Sequence, residues 1–254
     1  MTRFAVCLLA VLAAQGQENP FSSDPSAAEV GRGMYRIYCS ACHGIRAQGG
    51  RGPDLTRGTF RVGDTDSALF KVIAEGSAGT EMNGYLGQGP ENVWRFVSYV
   101  RSLAPKEPER FSGDAAAGER VFWGKGACGG CHRMGRRGSR MGPDLTMTGR
   151  SRSLKYLRES IVEPDNDLTR GYGTVRVRTH DGRTIVGVER GYDAFSATLM
   201  DSSETFHSFL REEVESLVRE DRSLMPRDYA KRLSEKEVED LVAYMVDFSL
   251  KERR

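Results

Sequence analysis

The sequence predicts a mainly α fold of two small helical domains, the second interrupted by a small antiparallel β insertion. Three observations predict it. A five-residue cysteine–histidine pattern occurs twice, each half closes on an amphipathic helix, and between the second pattern and the last helix the hydrophobic period switches from helical to alternating.

Residues 1–17 begin with one early cation, Arg3, followed by the apolar run Phe4–Ala14 and then Gln15 and Gly16. This is the pattern of a cleaved secretory signal. The run is too short to cross a bilayer comfortably, since a spanning helix needs about 20 apolar residues. Cys7 lies inside it without the small neighbours of a lipid-modified cysteine and is expected to leave with the signal. The expected location is therefore periplasmic or otherwise exported, with a membrane contact only if the signal stays uncleaved. The 254 residues are 39% hydrophobic and 28% charged with a net charge of +2, so no global field points to nucleic acid.

Beyond the signal, Cys39, Cys42, Cys128 and Cys131 remain. In an exported protein four cysteines first suggest two disulfides. Their spacing argues otherwise. Both pairs belong to Cys-x-x-Cys-His patterns, Cys39-Ser40-Ala41-Cys42-His43 and Cys128-Gly129-Gly130-Cys131-His132, the signature of covalent haem attachment. Cysteines three apart at the start of a helix lie on nearly one face, where both sulfurs can form thioethers with one edge of the porphyrin. The histidine that follows then supplies the proximal imidazole to iron. Half a zinc site or a thioredoxin-like couple also uses a cysteine pair. A histidine in the same slot twice disfavours both, and a four-cysteine zinc site would need Cys39 and Cys128 to meet across the expected domain boundary. Two haem c groups are the expected cofactors.

The repeat extends past the cysteines. Gly31 and Tyr35 precede the first pattern as Gly118 and Phe122 precede the second; Gly52-Pro53-Asp54-Leu55-Thr56 follows the first and Gly142-Pro143-Asp144-Leu145-Thr146 the second. The closing amphipathic helices, expected from Val93 to Leu103 and from Val238 to Phe248, carry Tyr99 and Tyr244 in matching places.

On these residues each half resembles a small class I cytochrome c domain, and the resemblance covers nearly all of the chain beyond the signal except the insertion. It implies that the proline carbonyl of each Gly-Pro-Asp-Leu stretch orients an imidazole, Pro53 for His43 and Pro143 for His132, a contact that fixes the ring and raises its basicity. It also implies a distal methionine before each closing helix. Ser223-Leu224-Met225-Pro226 matches the family pattern and nominates Met225; in the first half the matching loop nominates Met82, with Asn83 where the family has proline. Met34, Met134, Met141, Met147 and Met200 compete, though a methionine is by default core filler. His180 and His207 fall in the insertion as solvated strand residues, with bis-histidine ligation as their alternative role.

The charged, proline-bearing stretch from Ala104 to Arg110 marks a linker at 104–112. The domains are then expected at 22–103 and 113–254, with the β insertion at about 172–220. Residues 172–179, 184–190, 196–200 and 205–210 alternate as strands, and Asp181-Gly182 is a hairpin signal. A short polar helix is expected from Glu212 to Val218, and the whole reads as a small sheet or partly open barrel, Sm-like or SH3-like. The second half with this insertion resembles a haem-binding module found fused to propeller-type, dehydrogenase-like domains. Residues 133–158 hold eight Lys/Arg against one acid, Asp144. Such a run is a solvated face or a patch that steers an acidic redox partner.

The expected function is electron transfer between redox protein partners outside the cytoplasm, with His/Met ligation and no catalytic residue. Two rivals remain at this level: a di-haem redox enzyme, peroxidase-like or thiosulfate-oxidising, in which one iron has an exchangeable sixth position, and the cytochrome subunit of a periplasmic quinoprotein-type dehydrogenase.

Overall fold

The computed structural model describes residues 18–105 and 112–252. The expected signal at 1–17 and most of the expected linker lie outside the described residues. Of the described residues 41% are helical and 16% are strand. It separates into two compact units, the chain up to Ala47 with Leu55–Ala104, and Gln48–Asp54 with Pro105–Arg254.

The first unit is built on α1 (Pro25–Tyr38), α2 (Ser40–His43), α3 (Asp66–Glu75) and α4 (Pro90–Ser102). Asp24 caps α1 through a bond from the Ser26 N–H, with Pro25 in the first turn where its missing N–H costs nothing. Ala27, Gly31 and Tyr35 recur at helical spacing along its buried face. That face crosses α4 at glycine: a β-carbon on Gly31 would stand 2.1 Å from the Arg95 carbonyl oxygen. Close approach of the backbones lets Tyr35 and Tyr99 meet with ring centroids 5.1 Å apart. Leu69, Ile73, Val93, Trp94, Phe96 and Val97 fill the rest of the core. Helix α4 begins at Pro90, a turn earlier than the apolar pattern alone indicates, because proline's fixed φ suits the first helical turn.

The second unit repeats this crossing and adds a sheet. In chain order it holds α5 (Ala115–Trp123), the short β1 (Arg133–Met134) and β2 (Arg137–Gly138), α6 (Thr148–Ser151), α7 (Leu154–Val162), β3 (Thr174–Arg178), β4 (Thr184–Tyr192), β5 (Ser196–Met200), β6 (Phe206–Leu210), β7 (Ser216–Glu220), α8 (Tyr229–Arg232) and α9 (Glu235–Lys251). Asp114 caps α5, and Ser234 with Glu237 forms a reciprocal capping box on α9, which starts that helix three residues before Val238. Phe122 and Tyr244 pack with centroids 5.5 Å apart.

Strands β3 to β7 form one antiparallel sheet in the order β6-β5-β4-β3-β7. The Asp181-Gly182 turn closes β3 on β4, with Gly182 at φ 84° and the Thr179 N–H bonded to Arg183 O. Val175, Val177, Ala197, Leu199 and Leu217 form its own core. A meander whose last strand returns to pair with the first, after a single 3-10 turn at Arg211–Glu213, is the connectivity of an SH3-like sheet.

One expected element is corrected. The helix from Glu212 to Val218 is instead that 3-10 turn followed by β7, whose Ser216–Glu220 pairs with β3 in full register. Leu217 and Val214 are buried while their neighbours face out, so a partner strand about forty residues earlier decides the conformation.

Candidate functional site

The two cysteine–histidine patterns adopt the same backbone turn. Helix α1 breaks at Cys39, and the N–H groups of Cys42 and His43 both return to Cys39 O, at 3.1 and 2.9 Å. In the second unit Cys131 and His132 return to Cys128 O at 3.0 and 2.8 Å, after Ala127 takes a left-handed φ of 49° to enter the turn. Each turn presents two thiols and one imidazole within five residues. All four sulfurs are unbridged. Burial pushes the Cys39 and Cys128 thiols up to about 11, so both rest as thiols.

The second turn is backed by Trp123. Its ring lies so close to Gly129 that a β-carbon there would stand 2.3 Å from it; its Nε1–H donates to Tyr244 Oη at 3.1 Å, and the Arg137 guanidinium sits 3.9 Å above it.

His132 is held on its Nδ1 side. That nitrogen lies 2.9 Å from the Pro143 carbonyl oxygen, which can only accept, so Nδ1 carries the proton and Nε2 keeps a lone pair. Burial lowers the pKa of the ring, with the Pro143 carbonyl opposing, so the imidazole is neutral and able to ligate. Gly142 packs flat against the ring: a β-carbon would stand 2.6 Å from Cε1 and Nδ1.

His132 faces a cavity of about 380 Å³ that also gathers Cys131, Pro143 and Met225. Leu157, Ile161, Val188 and Met245 line it with apolar surface, and Tyr156, whose hydroxyl donates to Asp167 at 2.8 Å, stands among its polar lining. Cys128 packs against the same core cluster as Met225. A neutral imidazole with a free Nε2, a thioether, adjacent thiols and an apolar wall are the donor set and enclosure that a covalently attached haem requires.

In the first unit His43 is buried, and Cys39 and Met82 pack against one core cluster. Met82 sits in the loop between α3 and α4, which is pinned by the Gly76–Asn83 bridge and by the Ser77 N–H bonded to Met82 O at 3.0 Å. Met34 packs on the same cluster. Pro53 falls in the segment that clusters with the second unit.

The other methionines take distinct places. Met134 is core, Met141 and Met200 pack with Val188, and Met147 is 44% exposed at the cavity's edge. Met245 lines the cavity and was not singled out by the sequence, because in α9 its position reads as core. His207 bonds Asp201 at 2.7 Å and His180 is exposed on the hairpin turn; neither lines the cavity. The basic run is partly neutralised: Arg140 pairs with Glu204 at 2.9 Å, Arg158 with Glu239, and Lys155 with Glu159 at 3.7 Å.

Residues 26–100 match the family model described as cytochrome c oxidase, cbb3-type, subunit III. Cytochrome c-L of Methylorubrum extorquens is 35% identical over 99 residues, 35% of this chain and 48% of that protein. Dihydro-heme d1 dehydrogenase of Pseudomonas aeruginosa is 32% identical over 90 residues, 35% of this chain and 18% of that protein. The chain thus spans less than half the length of either relative. Among solved structures, cytochrome cL of Methylophaga aminisulfidivorans MPT is similar at 28% identity over 34% of this chain and 58% of that one, with a TM-score of 0.31.

The family match and the relatives support the class of the c-type cytochromes, proteins that bind haem and transfer electrons. More particularly, residues 26–100 are similar to the cbb3-type subunit III model over about the span of the first unit's described helices.

Proposed function

We propose that the chain is an exported electron carrier with two covalently attached haems, one held by Cys39, Cys42, His43 and Met82 and the other by Cys128, Cys131, His132 and Met225. The observation that carries this reading is the second-unit cavity, which His132, fixed by Pro143 at 2.9 Å, lines together with Met225 and Cys131. The repeated backbone turn at Cys39–His43 extends the reading to the first unit.

Attached haem supplies reversible one-electron chemistry. The chain's own residues determine how it is used. The cysteines hold the group in place, the Pro143 carbonyl keeps the His132 proton on Nδ1 and its lone pair on Nε2, and Leu157, Ile161 and Met245 keep water from the site. Met82 and Met225 would hold the iron on the side away from the imidazoles' support and would leave no position open to a substrate, which suits carrying electrons. Residues 1–17 fit export, and the partners are redox proteins, with a periplasmic dehydrogenase as one candidate. Likeness over 90 residues to a protein named as a dehydrogenase keeps a catalytic role as the second reading.

A redox titration of the haem-loaded protein, followed by cyanide addition to its ferric form, tests the proposal. Two one-electron steps and no cyanide complex support the carrier. Tight cyanide binding at either site overturns it in favour of catalysis.

A further inference from the structure

The sheet inserted in the second unit grips the segment that leads into Gly142 and Pro143. Glu204, in the β5–β6 turn, accepts from the Ser139 hydroxyl at 2.7 Å, from the Arg140 N–H at 2.9 Å and from the Arg140 guanidinium at 2.9 Å. These three bonds hold the Glu204 carboxyl down at about 2, so it is ionised at any physiological pH. On the other side of the segment the Arg190 guanidinium donates to Arg140 O at 2.5 Å. Between the two, Met141 (8% exposed) packs with Val188 (3%) from β4 and Met200 (1%) from β5, a small apolar cluster separate from the sheet's own core.

The gripped residues border the histidine at both ends. A β-carbon on Gly138 would stand 2.1 Å from His132 O, and one on Gly142 would stand 2.6 Å from the imidazole ring. The Gly142 N–H closes onto Cys131 O at 2.5 Å. A displacement of Ser139–Met141 therefore moves the wall and the carbonyl against which His132 rests.

Glu204 also has an unusual backbone. Its φ is 62°, the left-handed region where glycine or asparagine is at ease and other side chains are strained. The turn itself would be better served by glycine, so the side chain is accounted for by its contacts with Ser139 and Arg140.

We propose that the inserted sheet is a positioning device for the axial histidine of the second haem, with Glu204 as its principal contact. This rests on the reading of His132 as an iron ligand. Glu204 does not line the cavity; it acts through the 139–143 segment on the Pro143 carbonyl. Releasing it weakens the bond to His132 Nδ1–H, makes the imidazole a poorer donor and stabilises ferric iron less.

The test compares wild type, Glu204→Gly, Glu204→Gln and Ser139→Ala, each loaded with haem, by redox titration with circular dichroism as a check on the sheet. Glycine suits φ 62° and leaves the turn unstrained, so loss of the grip is separated from loss of the fold. The expected result is an upward shift of the second haem's midpoint potential, largest for Glu204→Gly and smaller for Glu204→Gln and Ser139→Ala, with the first haem's potential unmoved. Should Glu204→Gly unfold, the other two variants carry the test. Unchanged potentials in every folded variant overturn the positioning role alone. A wild-type protein without haem at Cys128 and Cys131 overturns the underlying reading instead.

Discussion

Gly118 and Asp240 meet backbone to backbone where α5 crosses α9: a β-carbon on Gly118 would stand 1.8 Å from the Asp240 carbonyl oxygen and 2.8 Å from the Tyr244 β-carbon. Gly31 repeats the contact in the first unit, 2.1 Å from Arg95 O and 2.9 Å from the Tyr99 β-carbon. The repeated glycine and aromatic pairs are therefore the two ends of one helix crossing, built twice.

Gly118→Ala forces the two helices apart and is expected to cost about 3 kcal/mol of unfolding free energy, the upper part of the usual range for overpacking. Gly31→Ala is expected to do the same in its own unit. Gly33→Ala is the control, since a β-carbon there meets nothing within 4 Å and removing a mid-helix glycine gains about 0.5–1 kcal/mol. Urea unfolding followed by circular dichroism reads all three, and a Gly118→Ala protein as stable as Gly33→Ala would contradict the crossing.

Gly142→Ala acts on the histidine directly. A methyl group 2.6 Å from two ring atoms displaces the imidazole from its bond with Pro143. The expected outcome is a second haem with a perturbed visible spectrum and a shifted potential while the first is unchanged. An unaltered spectrum would mean that the ring sits elsewhere in the loaded protein.

Met225 is one of four methionines that line the cavity, with Met141, Met147 and Met245, and its N–H bonds the Ser223 hydroxyl at 3.0 Å. Met225→His is expected to keep the iron six-coordinate and lower the second potential, because imidazole stabilises ferric iron more than a thioether does. Met225→Ala is expected to open the site to added imidazole. If neither variant changes ligand binding or potential, another residue holds the sixth position.

Much of the fold was legible because it rests on local chemistry. The Cys-x-x-Cys-His turns, the Gly-Pro-Asp-Leu stretches and the Asp181-Gly182 hairpin are each encoded within about five residues. The strand at 216–220 was not, since its polar sequence has no decisive period and its conformation is set by pairing with β3. The grip of Glu204 on Ser139 spans 65 residues of sequence and left no mark in either segment. The place of Met245 in the cavity wall was hidden by its helical spacing, which reads as ordinary core.

Acid stability should report on the α9 cap. Glu237 is held down at about 2 from the usual 4.5, first by the Lys125 ammonium and then by the Ser234 N–H. Its folded pKa lies below its unfolded one, so its contribution is complete above about pH 5 and drains as pH falls toward 2. Glu237→Gln is expected to unfold at lower urea than wild type at pH 7, with the gap closing near pH 2. A gap that does not vary with pH would contradict this account of the cap.

The central claim, that both cysteine–histidine turns bind haem covalently, is tested most directly by intact-mass measurement of protein made in a host competent for haem attachment, alongside the variants Cys39→Ser/Cys42→Ser and Cys128→Ser/Cys131→Ser. The account predicts a mass gain of two haems for wild type and of one for each double variant. A wild-type chain at its bare polypeptide mass, or a double variant that keeps two haems, would contradict it.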